Sequence, residues 1–401
     1  MKKILSVLFI LWFINSNNLF AQAWTELNSG TNQFLYGVQF PSADVGFVYG
    51  DAGLYKTSNA GDLWQQSGSI VAPYPCYFSS TQTGYAITAN GVEKTTDGGA
   101  NWTPGYVPLD VLAWDMYFVN DNLGYVCGFM NSNSEASFMK TIDGGDNWTE
   151  SSITGAMDAI SLYFTGSTTG YVGTESGIFK TTDGGDNWTG HATGTNNFTA
   201  ADIHFPTPSI GYACGSGDNG ETIYKTTDGG ENWTLLNNPF STNPLNGIYF
   251  TSVDTGYAVG GNGINSGTLI QTVNGGTTWT ISHTTSKTLN AVYFTSAHTG
   301  YAVGENGTIY KYSSSTGIGE ASPTIGSIFP NPSNGVFNLV LRSYEKGIKL
   351  LVTDITGQSI MQTNINSQQT SIDLSKYATG IYIVQVSYPD GETDCKKVIK
   401  E

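Results

Sequence analysis

The string Lys-Thr-Thr-Asp-Gly-Gly-x-Asn-Trp repeats a carboxylate at a fixed place. It occupies residues 94–102, 180–188 and 225–233, and residues 140–148 differ only in carrying Ile for the second Thr. Its aspartates are Asp97, Asp143, Asp183 and Asp228, and its tryptophans are Trp102, Trp148, Trp188 and Trp233. Two glycines after the Asp permit positive φ, and an Asp in such a turn accepts hydrogen bonds from nearby amides. Calcium takes about six to eight oxygens, and one carboxylate per turn falls far short. The expectation is a structural turn with no metal and no cofactor, its Trp packing between neighbouring units.

A second set of chemical residues breaks the repeat. Trp114 and Asp115 begin one unit, Asp202 begins another, and Asp110 and Asp158 lie in connections between units. An aromatic side chain beside several carboxylates suits a ligand-binding mouth. The same residues suit a gap-filling Trp among solvated acids, and both readings stand. Paired carboxylates across a cleft are also the apparatus of a glycosidase. A polysaccharide hydrolase using Asp115 with Asp202 or Asp158 is therefore the alternative to a binding module.

Other chemistries find little support. The four histidines are scattered, no Cys-x-x-Cys occurs, and Cys127 and Cys214 replace Val in matching Gly-Tyr-x-x-Gly strings, so they read as small core residues. No Gly-x-Ser-x-Gly, His-Glu-x-x-His or phosphate-loop string is present. Residues 24–316 hold 24 acidic side chains, 7 lysines and no arginine, for a net charge of −17. Such a surface repels nucleic acid and anionic lipid.

The elements that must position these residues follow from the repeat. Tryptophans stand at 24, 64, 102, 148, 188, 233 and 279, spaced by 38 to 46 residues. Each period has an apolar run ending in Phe, a Gly-aromatic strand, a strand ending in Lys-Thr (Gln-Thr at 271–272), and a strand begun by the Trp. Four short strands in about 40–45 residues make a propeller blade. Seven units predict seven blades over residues 24–312. The seventh unit lacks its own trailing Trp, so residues 24–27 supply its fourth strand and close the ring.

The Asp-Gly-Gly-x-Asn-Trp motif resembles the Asp-box, or BNR repeat, of sialidases and related propellers. A sialidase clamps its substrate's carboxylate with arginines, and a stretch without arginine cannot build that clamp. Together with the Gly-Tyr-Ala-Val-Gly strand, the repeat resembles the Ycf48/Hcf136-like photosystem assembly factors. Those factors use an arginine-rich patch absent from this sequence, so the resemblance implies fold and not role. Xyloglucan-cleaving enzymes also carry Asp-boxes, but on two propellers placed face to face.

The ends differ in kind. Lys2, Lys3, an apolar run at residues 4–14 and Ala21-Gln22-Ala23 read as a signal peptide over residues 1–23, cleaved after Ala21 or Ala23. No later stretch is long and apolar enough for a transmembrane helix. Residues 313–324 read as a linker. Residues 325–401 read as a small Ig-like β-sandwich. The Pro-Asn-Pro-Ser opening, the Asp-Ile-Thr-Gly turn, the Gly-Ile-Tyr-Ile-Val-Gln-Val strand and the lysine-rich end closely resemble the type A C-terminal sorting domain of the type IX secretion system of Bacteroidota. That resemblance implies passage across the outer membrane, the secretion machinery as a partner, and a protein released or held at the cell surface. There it would meet a glycan or protein ligand.

Overall fold

A computed structural model describes residues 23–314 and 325–401, apart from 72, 90, 106–110, 131–134, 192–197, 218–219, 238–243, 263–265, 342–343, 345 and 388–392. The residues before 23, which the sequence reads as a signal peptide, most of the expected linker, and Asp110 lie outside the described residues. Among the described residues no helix is long and apolar enough to cross a membrane.

Seven four-stranded antiparallel sheets form the blades of a β-propeller. The inner strands are Leu35–Gln39, Cys76–Phe78, Val111–Phe118, Ala159–Phe164, Thr199–His204, Leu245–Phe250 and Leu289–Ser296, in blades one to seven. The first strand of the chain, Ala23–Leu27, lies antiparallel to Ile309–Ser313, with Trp24 opposite Tyr312. Blade seven is thus completed from both ends of the compact unit formed by residues 23–313.

One aromatic unit recurs around the ring. The Phe ending each inner strand stacks on the Gly-aromatic residue of the preceding blade. The pairs include Phe47–Phe78 at 3.5 Å between centroids, Tyr125–Phe164 at 3.9 Å and Tyr171–Phe205 at 4.1 Å. Tyr301 of blade seven stacks on Phe40 of blade one at 4.1 Å, so the series closes. Each motif Trp meets the Phe of its own blade edge-on, as Trp102 does with Phe78 and Trp233 with Phe205. The Trp packs between blades as well: Trp64 shares a cluster with Tyr301 and Ile309 of blade seven, Trp233 with Tyr171 and Ile178 of blade four, and Trp279 with Tyr212 and Ile223 of blade five. Stacked Phe and Tyr make the closest ring contact between blades, and the Trp braces the Phe of its own blade; Trp188 also meets the neighbouring blade's Phe138, and Trp24 the neighbouring Tyr257. A Cβ on Gly124 would lie 2.3 Å from the Phe118 ring, which is why a glycine precedes the stacking aromatic.

The Asp turns are self-contained. Asp143 Oδ1 accepts from the Asn147 N–H at 2.9 Å and from Thr141 Oγ1 at 2.9 Å, and Oδ2 accepts from Asn147 Nδ2 at 2.8 Å. Asp97, Asp183 and Asp228 repeat these contacts, and the hydrogen bonds lower all four carboxyls to about 2. Gly144 and Gly145 take φ of 71° and 88°. In the weaker repeats Asn274 Oδ1 accepts from the Thr278 N–H at 2.9 Å, so an amide does the same work without a charge. Among the described residues no group of three or more His, Cys, Asp or Glu is arranged to hold a metal ion. The turns also join blades. Lys94 Nζ donates to the Gly144 carbonyl of the next turn at 2.8 Å, and Lys225 does so to Gly275 at 2.9 Å.

A prediction follows. Asp143→Asn should leave the melting temperature nearly unchanged, whereas Asp143→Ala removes the acceptor for the Asn147 N–H and should lower it clearly more. Thermal melts of the two variants, with and without calcium, check this; a large calcium-dependent loss in both would overturn the structural reading.

The C-terminal unit packs two sheets around its own core. One holds Ile325–Phe329, Val336–Leu341 and Gln369–Asp373. The other holds Ser359–Asn364, Lys349–Asp354, Gly380–Ser387 and Thr393–Lys400. Phe337, Leu339, Leu350, Val352 and Val384 lie at its centre. The Pro-Asn-Pro-Ser segment is bound to the lysine-rich last strand: Asn331 Oδ1 accepts from the Ile399 N–H at 2.8 Å and its Nδ2 donates to the Lys397 carbonyl at 2.9 Å. Ser333 N–H donates to the Ile399 carbonyl at 3.0 Å, and buried Lys400 donates to the Ser375 and Tyr377 carbonyls. The two ends of the sorting motif are therefore one structural feature. Asn331→Ala should free the last strand, at a cost of about 1–2 kcal/mol. Faster hydrogen exchange at Ile399 is the readout, and unchanged exchange would contradict it.

Candidate functional site

Six of the seven inner strands carry a β-bulge at one position, which skips Tyr36, Trp114, Ile160, Ala201, Asn246 and Asn290 in the pairing. A bulge re-aims the side chain of the unpaired residue. Here it turns these residues into the wall of a central cavity of about 500 Å³. Blade two has no bulge in its short inner strand and contributes Tyr74 instead. The ring is asymmetric: blades one to three present large aromatics, and blades four to seven present smaller side chains.

The aromatics form an arc. Tyr36 and Tyr74 meet edge-on at 4.9 Å between centroids, and Tyr74 and Trp114 at 6.0 Å. An acid holds each end. Tyr36 Oη donates to Asp51 Oδ1 at 2.6 Å, which with burial pushes the Tyr36 phenol up to about 12. Trp114 Nε1 donates to Asp158 Oδ1 at 2.6 Å, and Asp158 takes a left-handed φ of 45°. Asp158 thus belongs to the arc as the group that fixes the indole. Burial raises its pKa, partly offset by the Trp114 hydrogen bond.

Asp115 and Asp202 line the same cavity below the rim. Both are engaged with backbone. Asp115 Oδ1 accepts from the Met116 N–H and Oδ2 from the Leu162 N–H of blade four, both at 2.7 Å. Asp202 Oδ1 accepts from the Ile203 N–H and Oδ2 from the Ile248 N–H of blade six, both at 2.8 Å. In blade one the Tyr49 hydroxyl faces the equivalent Cys76 N–H. These three side chains share one task, satisfying the inner-strand amide of the following blade. Burial pushes both carboxyls up to about 7 against the pull of those hydrogen bonds. They are partly exposed only because they border the cavity.

Further along the axis a belt of rings narrows the channel. It comprises Tyr77, Tyr117, Tyr163, His204, Tyr249 and Tyr293, each one residue before the terminal Phe of its blade. Tyr77, Tyr163 and Tyr293 donate to the carbonyls of Phe118, Phe205 and Phe40 in the next blade, at 3.0, 3.1 and 3.1 Å. His204 Nδ1 accepts from the Phe250 N–H at 3.3 Å, so its proton sits on Nε2, and burial holds the ring neutral with its pKa down to about 3. Sequence reasoning missed this belt. The available signal was an aromatic at the same strand position in most units. Cys76, Cys127 and Cys214 are buried free thiols, and Cys395 is an exposed one.

The geometry brings Trp114, Asp115, Asp158 and Asp202 to one end of the channel. The Asp turns join third and fourth strands, which places them at the opposite end.

Comparison with known proteins agrees with this architecture. The family model for the secretion system C-terminal sorting domain matches residues 327–401, and that for the photosynthesis system II assembly factor YCF48 matches residues 94–192. YCF48 from Cyanidioschyzon merolae is similar in structure, with a TM-score of 0.59 and 16% identity over 73% of this chain and 99% of that one. YCF48 bound to D1 peptide gives 0.58 and 18%, over 75% and 99%. A GH74 xyloglucanase from Xanthomonas campestris gives 0.56 and 13%, over 80% of this chain but 59% of the enzyme. No curated protein matches the chain. Residues 327–401 thus match a secretion system C-terminal sorting domain, and the seven-bladed propeller before them has the fold of YCF48 and matches that family's model over residues 94–192.

Proposed function

We propose that the protein is a binding module, exported by its sorting domain to the cell surface or beyond, that takes a ligand at the aromatic mouth of the propeller. The observation that carries this reading is the arc of Tyr36, Tyr74 and Trp114, with two of its three rings fixed by acids over an open cavity. Pre-fixed rings bind without paying for their own ordering. Exposed Phe34, Val71 and Met157 stand on the connections before the inner strands of blades one, two and four, and exposed Leu112 near the start of that of blade three. An apolar rim of that kind favours a protein ligand over a glycan. A structural relative binding a D1 peptide supports the same class.

One observation favours a polysaccharide hydrolase as second reading: two carboxyls near neutrality border one cavity with a Trp. Against it, each of those four carboxylate oxygens already holds a backbone N–H, which suits fastening blades better than moving protons. Probing immobilised extracellular glycans and peptides with the purified protein separates the two. The expected result is saturable binding without cleavage. Turnover of any hit, abolished by Asp115→Asn in a folded variant, would replace the binding reading.

A further inference from the structure

The cavity is built for positive charge. Asp115 and Asp202 border its floor, and Asp51 and Asp158 back the rings at its rim. Among the described residues no lysine or arginine lines it. The groups share one field: the Tyr74 phenol is pushed up to about 12 by burial and then by Asp115, Tyr36, Cys127 and Asp158. Asp115 also acts on Tyr49, Cys127 and Asp202, and Asp202 acts on Tyr163. All these neighbours are acids or phenols, with one buried thiol. None neutralises a carboxylate. An aromatic arc above two uncompensated carboxyls is the environment that attracts an organic cation, since ring faces and carboxylates act in the same direction.

We propose that the mouth holds an alkylammonium group, the end of a lysine side chain on the partner protein, its charge set between the rings of Tyr74 and Trp114 and the carboxyls of Asp115 and Asp202. The inference rests on the binding reading above and names its ligand chemistry. Two features select ammonium over other cations. Guanidinium seeks two free oxygens of one carboxylate in a planar fork. Both oxygens of Asp115 and of Asp202 already accept amides, so the fork has no partner, whereas an ammonium acts as a point charge. A divalent metal needs several converging oxygens, and no such group occurs among the described residues.

The test uses three probes on the purified protein: N-acetyl-lysine methylamide, its norleucine analogue, which replaces the ammonium by an alkyl end, and its arginine analogue. Titration calorimetry at pH 6 in two buffers of different ionisation enthalpy gives both affinity and protons exchanged. The lysine probe is expected to bind at least tenfold more tightly than either analogue, with net proton release as the carboxyls ionise beneath the cation. That release is read on unaltered protein, so it does not depend on whether Asp115→Asn folds. Trp114→Leu should remove the binding at little cost to the melting temperature. Norleucine binding as well as lysine, with the same loss on Trp114→Leu, would overturn the ammonium inference while leaving the mouth as a binding site. Lysine binding without proton release, or unaffected by Trp114→Leu, would overturn it too. If macromolecular ligands were also indifferent to Trp114, the binding reading would fall with it.

Discussion

Deletion of residues 24–27 is expected to lower the melting temperature by on the order of 10 °C or more, since a domain of this size loses about 2–4 °C per kcal/mol. Trp24 is buried against Tyr257, Phe294 and Tyr312, at 6.1, 6.0 and 5.2 Å between ring centroids, and its Nε1 donates to Ser282 Oγ at 3.1 Å. Removing a core Trp side chain alone costs about 3–5 kcal/mol. The deletion further strips the ladder from Ile309–Ser313 and the Glu26–Lys287 ion pair. The bared strand is an open edge, so the variant should also aggregate on heating. Calorimetric melts of the deletion and of Trp24→Ala check this. A melting curve unchanged by the deletion would mean that the ring does not depend on strand exchange between its ends.

Stability is expected to fall as pH rises from about 4 to 7. Asp115 and Asp202 are raised by burial to about 7 in the folded protein, from the ordinary value of 3.8. Below pH 4 both folded and unfolded chains hold these protons. Between 4 and 7 the folded state binds more protons than the unfolded, so each unit of pH removes stability, and above 7 the loss levels off. With water in the cavity softening the burial cost, the total is on the order of 2–4 kcal/mol. The Asp turns act in the opposite sense. Their carboxyls are depressed to about 2, so their contribution is present above pH 4 and fades as pH falls toward 2. Greatest stability is therefore expected near pH 4–5. Urea unfolding across pH 3–8 is the check. The slope between 4.5 and 7 should flatten in the Asp115→Asn, Asp202→Asn double variant, even though each Asn leaves a blade amide facing an NH₂ group. A slope unchanged in that variant would show that other acids set it.

Residue period and type revealed the ring because the repeat is a packing unit. Gly-aromatic, Phe and Trp recur since each blade must stack on the last, and the missing Trp of the seventh unit pointed to the closing strand. The partner of each Trp was not legible. Sequence spacing does not say that each indole meets its own blade's Phe edge-on while also packing on the preceding blade, beside the tighter Phe–Tyr stack. At the site, Asp115 was visible because it interrupts a series of small residues, and Trp114 because it is the one Trp after residue 23 that does not belong to the repeat. Their partners were not, because these come from other blades: the amide that Asp115 accepts belongs to Leu162. Tyr49 shows the same limit. A Cβ on Gly37 would lie 2.2 Å from the Tyr49 hydroxyl, so the space beside that glycine is filled from the second strand. Pairing along a strand is a local pattern, whereas contact across an axis is not.

The most direct test pairs binding with melting for Trp114→Ala. The indole is only partly buried and is fixed by Asp158 rather than by core packing. Its loss should therefore cost no more than about 1 kcal/mol, well below the 3–5 kcal/mol of a core aromatic. If the mouth is the binding site, the same change should abolish capture of any ligand found for the intact protein. Capture that survives, or a melting temperature that falls as far as it does for Trp24→Ala, would make Trp114 a packing residue and contradict the account.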